Sequence, residues 1–272
     1  MGEIYVNIAC GDTYNEDWLN LDYRPHSTQV KQANLLSRLP ISDNSADIVY
    51  SSHFLEHIPR DKVPGFLSEC YRVTKSGGKL RLVLPDWEEL CGTYLRFRHE
   101  GQHDKADFVM LEMLDQCVRK KSGGDLGAFY AHLQTSPLTN KEIVEFIFQR
   151  TGHNIQSGQI GESEKLWIRI IKNPLKLLVL LERIYCRIII ALLPSAFRQQ
   201  NVILTNVGER HVWMYDFYSL EKLLVKTGFS NVQRLTAVTS NIPHFQFYQL
   251  DVTEDGKPRK GLESMYIEAV KH

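Results

Sequence analysis

The sequence has few of the features that mark several common classes of protein. Its 272 residues include five scattered cysteines, with no Cys-x-x-Cys pair and no Cys/His cluster at zinc-binding spacing. This pattern predicts free thiols in a reducing compartment and no metal site. Lysine plus arginine and aspartate plus glutamate number 32 each, so the net charge is zero and gives no general attraction to nucleic acid.

Other absences concern targeting and membranes. No internal repeat and no low-complexity segment occurs. An apolar strand pattern starts within the first residues and no signal peptide precedes it, so we expect a cytoplasmic protein. No charge-free apolar run approaches the roughly 18 residues that a membrane-spanning helix needs.

What is present begins with residues 4–22, IYVNIACGDTYNEDWLNLD. An apolar strand pattern runs into the small-residue turn Ala9-Cys10-Gly11, and a second apolar run ends on Asp22. The glycine lets the backbone approach a ligand closely, and an acid after the second strand can accept both hydroxyls of a ribose. There is one glycine where the dinucleotide fingerprint has three. The stretch therefore predicts a site for a nucleoside without a pyrophosphate, which argues against NAD and FAD.

The pattern of strands and helices continues for about 60 residues after this stretch. Residues 30–36, 46–50 and 79–84 have the composition of strands, and residues 59–74 carry apolar side chains at helical spacing. Strands that alternate with helices or turns predict a parallel α/β sheet. Ligands of such sheets lie at the carboxyl ends of the strands.

Four segments together resemble the class I S-adenosylmethionine-dependent methyltransferases, and more narrowly the small bacterial type 11-like branch. These segments are NIACG, LNLD, LPISDNSADIVYSSHFLEHI and ECYRVTKSGGKLRLVLPD, within residues 4–86, and the likeness returns at GERHVWMYDFYSLEKLLVKTGF. The resemblance implies an α/β fold with a Rossmann-like seven-stranded sheet. It also implies S-adenosylmethionine as cofactor and S-adenosylhomocysteine as product.

The resemblance also implies which residues bind the cofactor. They are Asn7, Ala9, Cys10, Gly11, Asp22, Asn34, Leu35, Ser51, Ser52 and His53. Asn34 stands where the family usually has aspartate, and its amide oxygen can still accept a hydrogen bond from the adenine amine. Only about ten residues separate Gly11 from Asp22, too few for a full crossover helix, so we expect the first helix to be very short or missing.

Methyl transfer to a hydroxyl benefits from a general base, and a neutral histidine suits that task near pH 7. His53 is the first candidate, because it lies nearest the predicted methyl position, followed by His57 and His211, with Asp86 as a carboxylate alternative. Structural alternatives remain open. His57 can cap the corner after its strand, and the aromatic and charged group around His211 can be purely structural.

The sequence predicts two parts. Residues 1–86 and 206–272 would form the cofactor-binding core, and residues 87–205 a helical insertion that covers the substrate side before the last two strands. Within the insertion we expect a helix over residues 87–108, a loop over residues 120–127, and further helices at 111–118, 128–133 and 140–151.

Residues 165–198 are strongly apolar and carry a basic stripe at helical spacing, interrupted by Pro174. The stripe consists of Lys165, Arg169, Lys172, Lys176, Arg183 and Arg187. Three readings stay open: a lid or homodimer helix, peripheral contact with an anionic inner-membrane surface, and docking of an anionic substrate.

The function expected from these observations is O-methylation of a small molecule or glycan. The alternative is a non-catalytic, cofactor-binding scaffold. A nucleic-acid methyltransferase is disfavoured, because the charge is balanced and no Asn-Pro-Pro-Tyr or Asp-Pro-Pro-Tyr tetrapeptide occurs.

Overall fold

The computed structural model describes residues 2–135, 140–151, 155, 175–205 and 208–272. Seven strands of this part of the chain form one sheet in the order β3-β2-β1-β4-β5-β7-β6. The strands are β1 Tyr5–Ile8, β2 Leu19–Asp22, β3 Val30–Gln32, β4 Ala46–Ser52, β5 Thr74–Pro85, β6 Phe229–Leu235 and β7 Ser264–Lys271. The predicted Rossmann-like seven-stranded α/β sheet is confirmed.

The first five strands are parallel, and β7 lies antiparallel between β5 and β6. Ile8 at the end of β1 pairs with Leu21 on one side and Ser51 on the other. The carboxyl ends of β1, β2 and β4 therefore meet at one edge of the sheet. This is the edge at which parallel α/β sheets bind ligands.

Eight α-helices are described. They are α1 Val63–Val73, α2 Trp87–His99, α3 His103–Val118, α4 Gly124–Thr135, α5 Lys141–Thr151, α6 Leu175–Leu192, α7 Ser195–Asn201 and α8 Phe217–Thr227. The predicted amphipathic α1 is confirmed, since its apolar positions are buried against the sheet. Helix α8 begins with a capping box at Asp216 and ends at Gly228, whose φ of 113° suits a glycine.

The two faces of the sheet are covered in different ways. On one face α1 and α8 pack on a core that includes Val6, Ile8 and Leu21. No helix occurs among residues 9–18, which confirms the predicted loss of the first crossover helix. The other face is covered instead by the connection between β6 and β7, residues 236–263, whose Phe245 packs with Trp18.

The insertion departs from the sequence prediction in two places. The helix expected over residues 87–108 is divided, because α2 ends before Gly101, whose φ is 73°. The loop expected over residues 120–127 becomes helical at Gly124. There Asp115 of α3 accepts a hydrogen bond from the Asp125 backbone N–H at 2.6 Å. A cap supplied by a different helix leaves no local signal in the sequence.

Seven described helices, α2 to α8, lie between β5 and β6, and the first six belong to the expected insertion, part of which has its own core. Phe108, Leu133, Val144 and Ile147 form this core between α3, α4 and α5. The proposed division at residues 86 and 206 stays a prediction, and residues 206 and 207 lie outside the described residues.

The predicted basic stripe lies largely outside the described residues. These do not include residues 156–174 or the side chains of Lys176 and Arg183. From residue 175 the chain is helical, and α6 exposes large apolar side chains. They are Leu181, Ile184, Tyr185, Ile188, Ile189 and Leu192. Among the described helices, none combines the length and the apolar character needed to cross a membrane.

A buried arginine joins the sheet to the 236–263 connection. Arg81 of β5 is 0% exposed and donates hydrogen bonds to Asp251 at 2.7 Å and to Glu268 at 2.7 Å. It also donates to the backbone carbonyls of Thr236 and Thr239. A buried ion of this kind is stable only when fully paired. The connection is therefore held to the sheet by charge as well as by apolar contacts.

We expect Arg81→Met to lower the free energy of unfolding by about 3–5 kcal/mol, because Asp251 and Glu268 would remain buried without their cation. Urea denaturation measures the change. Lys257→Met is the matched control, since Lys257 pairs with Asp255 on the exposed surface and should have little effect. Equal stability of Arg81→Met and the wild type would contradict this role.

Candidate functional site

The turn after β1 contacts the acid at the end of β2. The Gly11 N–H donates a hydrogen bond to the Asp22 carboxylate at 3.0 Å, and the second oxygen of this carboxylate accepts from the Arg24 N–H at 2.8 Å. Gly11 has a φ of 54°, which glycine adopts without strain, and a Cβ at this position would meet no atom within 4 Å. Each carboxylate oxygen has a further lone pair, so Asp22 can also accept hydroxyl protons from a ligand.

Beside this turn lies a sheet-edge hollow of about 60 Å³. Its walls come from the ends of β1 and β4 and from the 236–263 connection. They include Asn7, Ala9, Cys10, Ser52, Arg259 and Lys260. Ligand sites are usually several times larger, so the hollow encloses only one end of a cofactor. Gly11 is exposed, and the rest of the molecule would lie on the open surface beside it.

The chemistry of this edge fits a ligand with an ammonium or hydroxyl group. Within the described residues, Asn7 Oδ1 and Ser51 Oγ are buried and have no hydrogen-bond partner. Buried polar atoms are seldom left in this state, so a ligand that supplies donors would satisfy them. Cys10 does not act as a nucleophile here, because burial raises the pKa of its thiol to about 12.

The two residues expected to contact adenine, Asn34 and Leu35, have other partners in the structure. Leu35 is buried and belongs to the core of the sheet. Asn34 is exposed, and its side-chain oxygen already accepts a hydrogen bond from the Leu36 N–H at 3.1 Å. This oxygen was the expected acceptor for the adenine amine. The assignment of Asn34 and Leu35 to adenine stays a prediction.

A second cavity, the insertion cavity, lies between the end of β4 and the insertion helices and measures about 260 Å³. His53, Glu112, Tyr130, His211, Arg259 and Glu263 are among the residues that line it. Arg259 and Lys260 line both this cavity and the sheet-edge hollow, so the two spaces adjoin. A cofactor in one and an acceptor in the other would be neighbours.

His53 is at the junction of the two spaces. It directly follows Ser52 of β4 and has a φ of 50°, which turns the chain away from the sheet. Its Nε2 lies 3.0 Å from Ser264 Oγ, and its Nδ1 lies 3.3 Å from Glu56 Oε1. Both the predicted place of His53 near the methyl-transfer position and its role as a base stay predictions.

His57 and His211 meet around the same carboxylate. Glu56 is 0% exposed, and its Oε1 lies 3.9 Å from His57 Nε2 and 4.0 Å from His211 Nε2. Burial opposes ionisation of Glu56, but the three surrounding imidazoles outweigh it and hold the pKa of Glu56 below its ordinary value. Burial lowers the pKa of His211 to about 4, so this ring is neutral at pH 7.

Asp86 has a different environment. It is 1% exposed, and one oxygen accepts from the backbone N–H groups of Glu88 and Glu89 at the start of α2. The other oxygen accepts from the Arg234 guanidinium. Both oxygens are therefore engaged, and this geometry favours a cap of α2 over a general base.

Glu112 was missed by the sequence reasoning. It lies on α3 and lines the insertion cavity, and burial raises its pKa to about 7 although Arg150 donates to it at 2.6 Å. Because Glu112 is on an insertion helix, no strand end marks it in the sequence. Glu56, in the turn after β4, was likewise not among the predicted site residues.

The sequence was compared with known protein families, and one match includes the turn after β1. A sequence model of the methyltransferase domain family matches residues 9–82, from the turn after β1 into β5. No curated protein matches the chain.

Several solved structures have a similar course of the chain. An S-adenosylmethionine-dependent methyltransferase from Archaeoglobus fulgidus is 11% identical, with 99% of this chain and 86% of that chain covered and a TM-score of 0.40. A possible histamine N-methyltransferase from Thermotoga maritima is 12% identical, with 100% and 83% covered and a TM-score of 0.39. Phosphoethanolamine N-methyltransferase 2 from Haemonchus contortus is 11% identical, with 100% and 49% covered and a TM-score of 0.37. None of these likenesses indicates the acceptor of this chain.

The seven-stranded sheet with its antiparallel last strand is the α/β architecture expected from the sequence, and residues 9–82 match the methyltransferase domain family. This match accords with the expected use of S-adenosylmethionine as cofactor.

The raised pKa of Glu112 has a consequence for stability. The folded chain keeps a proton on Glu112 up to about pH 7, whereas the unfolded chain releases it near the ordinary value of 4.5. Glu112 therefore stabilises the folded chain at low pH. Its contribution to the free energy of unfolding, up to about 3 kcal/mol, is lost as pH rises from 4.5 to 7. Glutamine does not titrate, so Glu112→Gln keeps its stability over this pH range while the wild type loses some. We therefore expect the free energy of unfolding of the variant, minus that of the wild type, to rise from pH 4.5 to pH 7.

Urea denaturation at several pH values measures this difference. Glu145→Gln, at an exposed position on α5, is the matched control. A difference between Glu112→Gln and the wild type that stays constant with pH would contradict the assignment.

Proposed function

We propose that this enzyme transfers a methyl group from S-adenosylmethionine to a hydroxyl of a small molecule or glycan in the insertion cavity. The observation that carries this proposal is the position of His53. It follows the strand end that lines the sheet-edge hollow, and its ring lines the cavity of about 260 Å³. A base for the acceptor hydroxyl is thus next to the expected place of the sulfonium.

The sheet edge would hold the cofactor. Asp22 and the Gly11 backbone would bind the adenosine part, and Asn7 and the Ser51–Ser52 end of β4 would bind the methionine part. S-adenosylmethionine supplies an activated methyl group on a sulfonium, which reacts by in-line displacement. The remaining task of the protein is to align the acceptor oxygen and remove its proton.

His53 has partners that suit a general base. With a proton on Nδ1, next to Glu56, the other nitrogen is free to accept a proton from a hydroxyl. Ser264 Oγ, which lies 3.0 Å from Nε2, occupies a position that an acceptor hydroxyl would take. Glu56 would favour this tautomer and stabilise the imidazolium that forms. His57 and His211 would act through Glu56 and not on the acceptor directly.

Contacts beyond the active site are also proposals. The apolar side chains exposed on α6 support two of the three readings of residues 165–198, contact with an anionic membrane surface and contact with a second copy of the chain, whereas the lid and anionic-substrate readings stay open. The covering role of the insertion is supported by the cavity that α3 and α4 line together with His53.

We expect His53→Asn to reduce turnover by about 100-fold or more and to weaken the binding of S-adenosylmethionine far less, since a general base contributes this much to rate and His53 is only one of the expected cofactor contacts. Asparagine tolerates the positive φ at this position. The measurement is transfer of isotope-labelled methyl from S-adenosylmethionine to a panel of sugars and phenols, followed by mass spectrometry, with cofactor affinity taken from calorimetry.

His244→Asn is the matched control, because His244 is exposed and has a similar φ of 56°. Its turnover should equal that of the wild type. Full turnover by His53→Asn would exclude His53 as the base, and no transfer to any hydroxyl by the wild type would contradict O-methylation.

A further inference from the structure

We propose that Glu56, His57 and His211 form a binding site for one transition-metal ion of the zinc type. One ligand atom from each of these residues, a carboxylate oxygen and two imidazole nitrogens, lies within 4.8 Å of the other two. Nitrogen and oxygen donors of this kind are those that Zn²⁺ and Co²⁺ accept from proteins. Neither the spacing of these residues nor the methyltransferase reaction implies such a site.

The separations are close to those of a bound ion. Ligand atoms in a tetrahedral zinc site are about 3.3 Å apart, as follows from bonds of about 2.0–2.1 Å. Here Glu56 Oε1 lies 3.9 Å from His57 Nε2 and 4.0 Å from His211 Nε2. Movements of less than an ångström would bring these two distances to the value in a zinc site, and the third separation is within 4.8 Å.

The carboxylate of Glu56 lacks the partners that a buried anion needs. It is 0% exposed, and within the described residues neither of its oxygens accepts a well-formed hydrogen bond. The nearest donor is His53 Nδ1 at 3.3 Å. The imidazoles that stabilise this carboxylate are 3.3–4.0 Å away, and a cation bound directly to it would offset more of the cost of its burial.

The tautomer of His57 supports the same conclusion. Its Nδ1 lies 2.6 Å from the Arg210 carbonyl oxygen and must therefore donate a proton to it. In the neutral ring Nε2 then carries a lone pair, and this lone pair lies next to a carboxylate oxygen. Two lone pairs that face each other at 3.9 Å offer two ligand atoms to a cation placed between them. A histidine whose second nitrogen donates to a backbone carbonyl is the usual form of a metal ligand.

The backbone holds the three ligands in place from two distant parts of the chain. Glu56 and His57 lie in the short 3-10 turn after β4, and the Val212 N–H donates to the Glu56 carbonyl at 2.7 Å. The His211 N–H donates to the Gln116 carbonyl of α3 at 3.0 Å. The site is thus built by the contact between the insertion and the core.

The position of the site gives a role to the ion. His211 lines the insertion cavity, so a fourth coordination position can face the acceptor. Three protein ligands and one open position are typical of catalytic zinc, which lowers the pKa of a bound hydroxyl. This role rests on the proposed function, whereas the binding of the ion does not.

The test uses the purified full-length protein after treatment with a chelator, without S-adenosylmethionine or acceptor. Co²⁺ is added as a spectroscopic probe, and Zn²⁺ is then used to displace it. We expect one equivalent of Co²⁺ with the visible absorption of a four-coordinate site, and at least tenfold weaker binding by Glu56→Gln and by His211→Asn. His99→Gln, at an exposed position on α2, is the matched control and should bind as the wild type does.

Absence of stoichiometric binding by the wild type would overturn the proposal, and so would unchanged binding by folded Glu56→Gln. If the variants do not fold, X-ray absorption of the zinc-loaded wild type identifies the atoms that bind the ion. Two imidazole nitrogens and one carboxylate oxygen at about 2.0–2.1 Å would support the site, and sulfur or water ligands alone would contradict it. Because no methyl transfer is measured, failure here leaves the proposed methylation untouched.

Discussion

The hydrogen bond between the Gly11 N–H and the Asp22 carboxylate is the contact on which the proposed cofactor site depends. It joins the turn after β1 to the end of β2, where ten residues link two parallel strands without a helix. The glycine keeps this side open, and the carboxylate retains lone pairs for the hydroxyls of a ribose. The short link leaves one face of the sheet without a first crossover helix.

The 236–263 connection makes up for this missing helix and thereby shapes both spaces of the site. Its aromatic residues cover the open face of the sheet, and Arg81 holds it by paired charges at the centre. The same connection carries Arg259 and Lys260, which line the sheet-edge hollow and the insertion cavity. Stability and binding are therefore linked through one segment. The proposed cofactor end is formed by the sheet edge and this connection, whereas the proposed acceptor end also needs the insertion.

The core of the fold was predictable, because strand patterns, the glycine turn and the acid at position 22 are local features of the sequence. The amphipathic spacing of α1 was equally local. The start of α4 was not predictable, since its cap comes from Asp115 on another helix. Glu112 and the cluster around Glu56 also escaped, because burial and contacts between distant segments create their chemistry. His211 was found by its aromatic and charged neighbours, but only the fold brings it to Glu56.

The most direct measurement is calorimetric titration of S-adenosylmethionine into the wild type and into Asp22→Asn, with Asp17→Asn, at an exposed position before β2, as the control. The wild type and Asp17→Asn should bind one equivalent with equal affinity. Asp22→Asn should bind at least about tenfold more weakly, since it loses a charged acceptor for two hydroxyls. Binding by Asp22→Asn at wild-type affinity, or no binding by the wild type, would contradict the placement of the cofactor at this sheet edge.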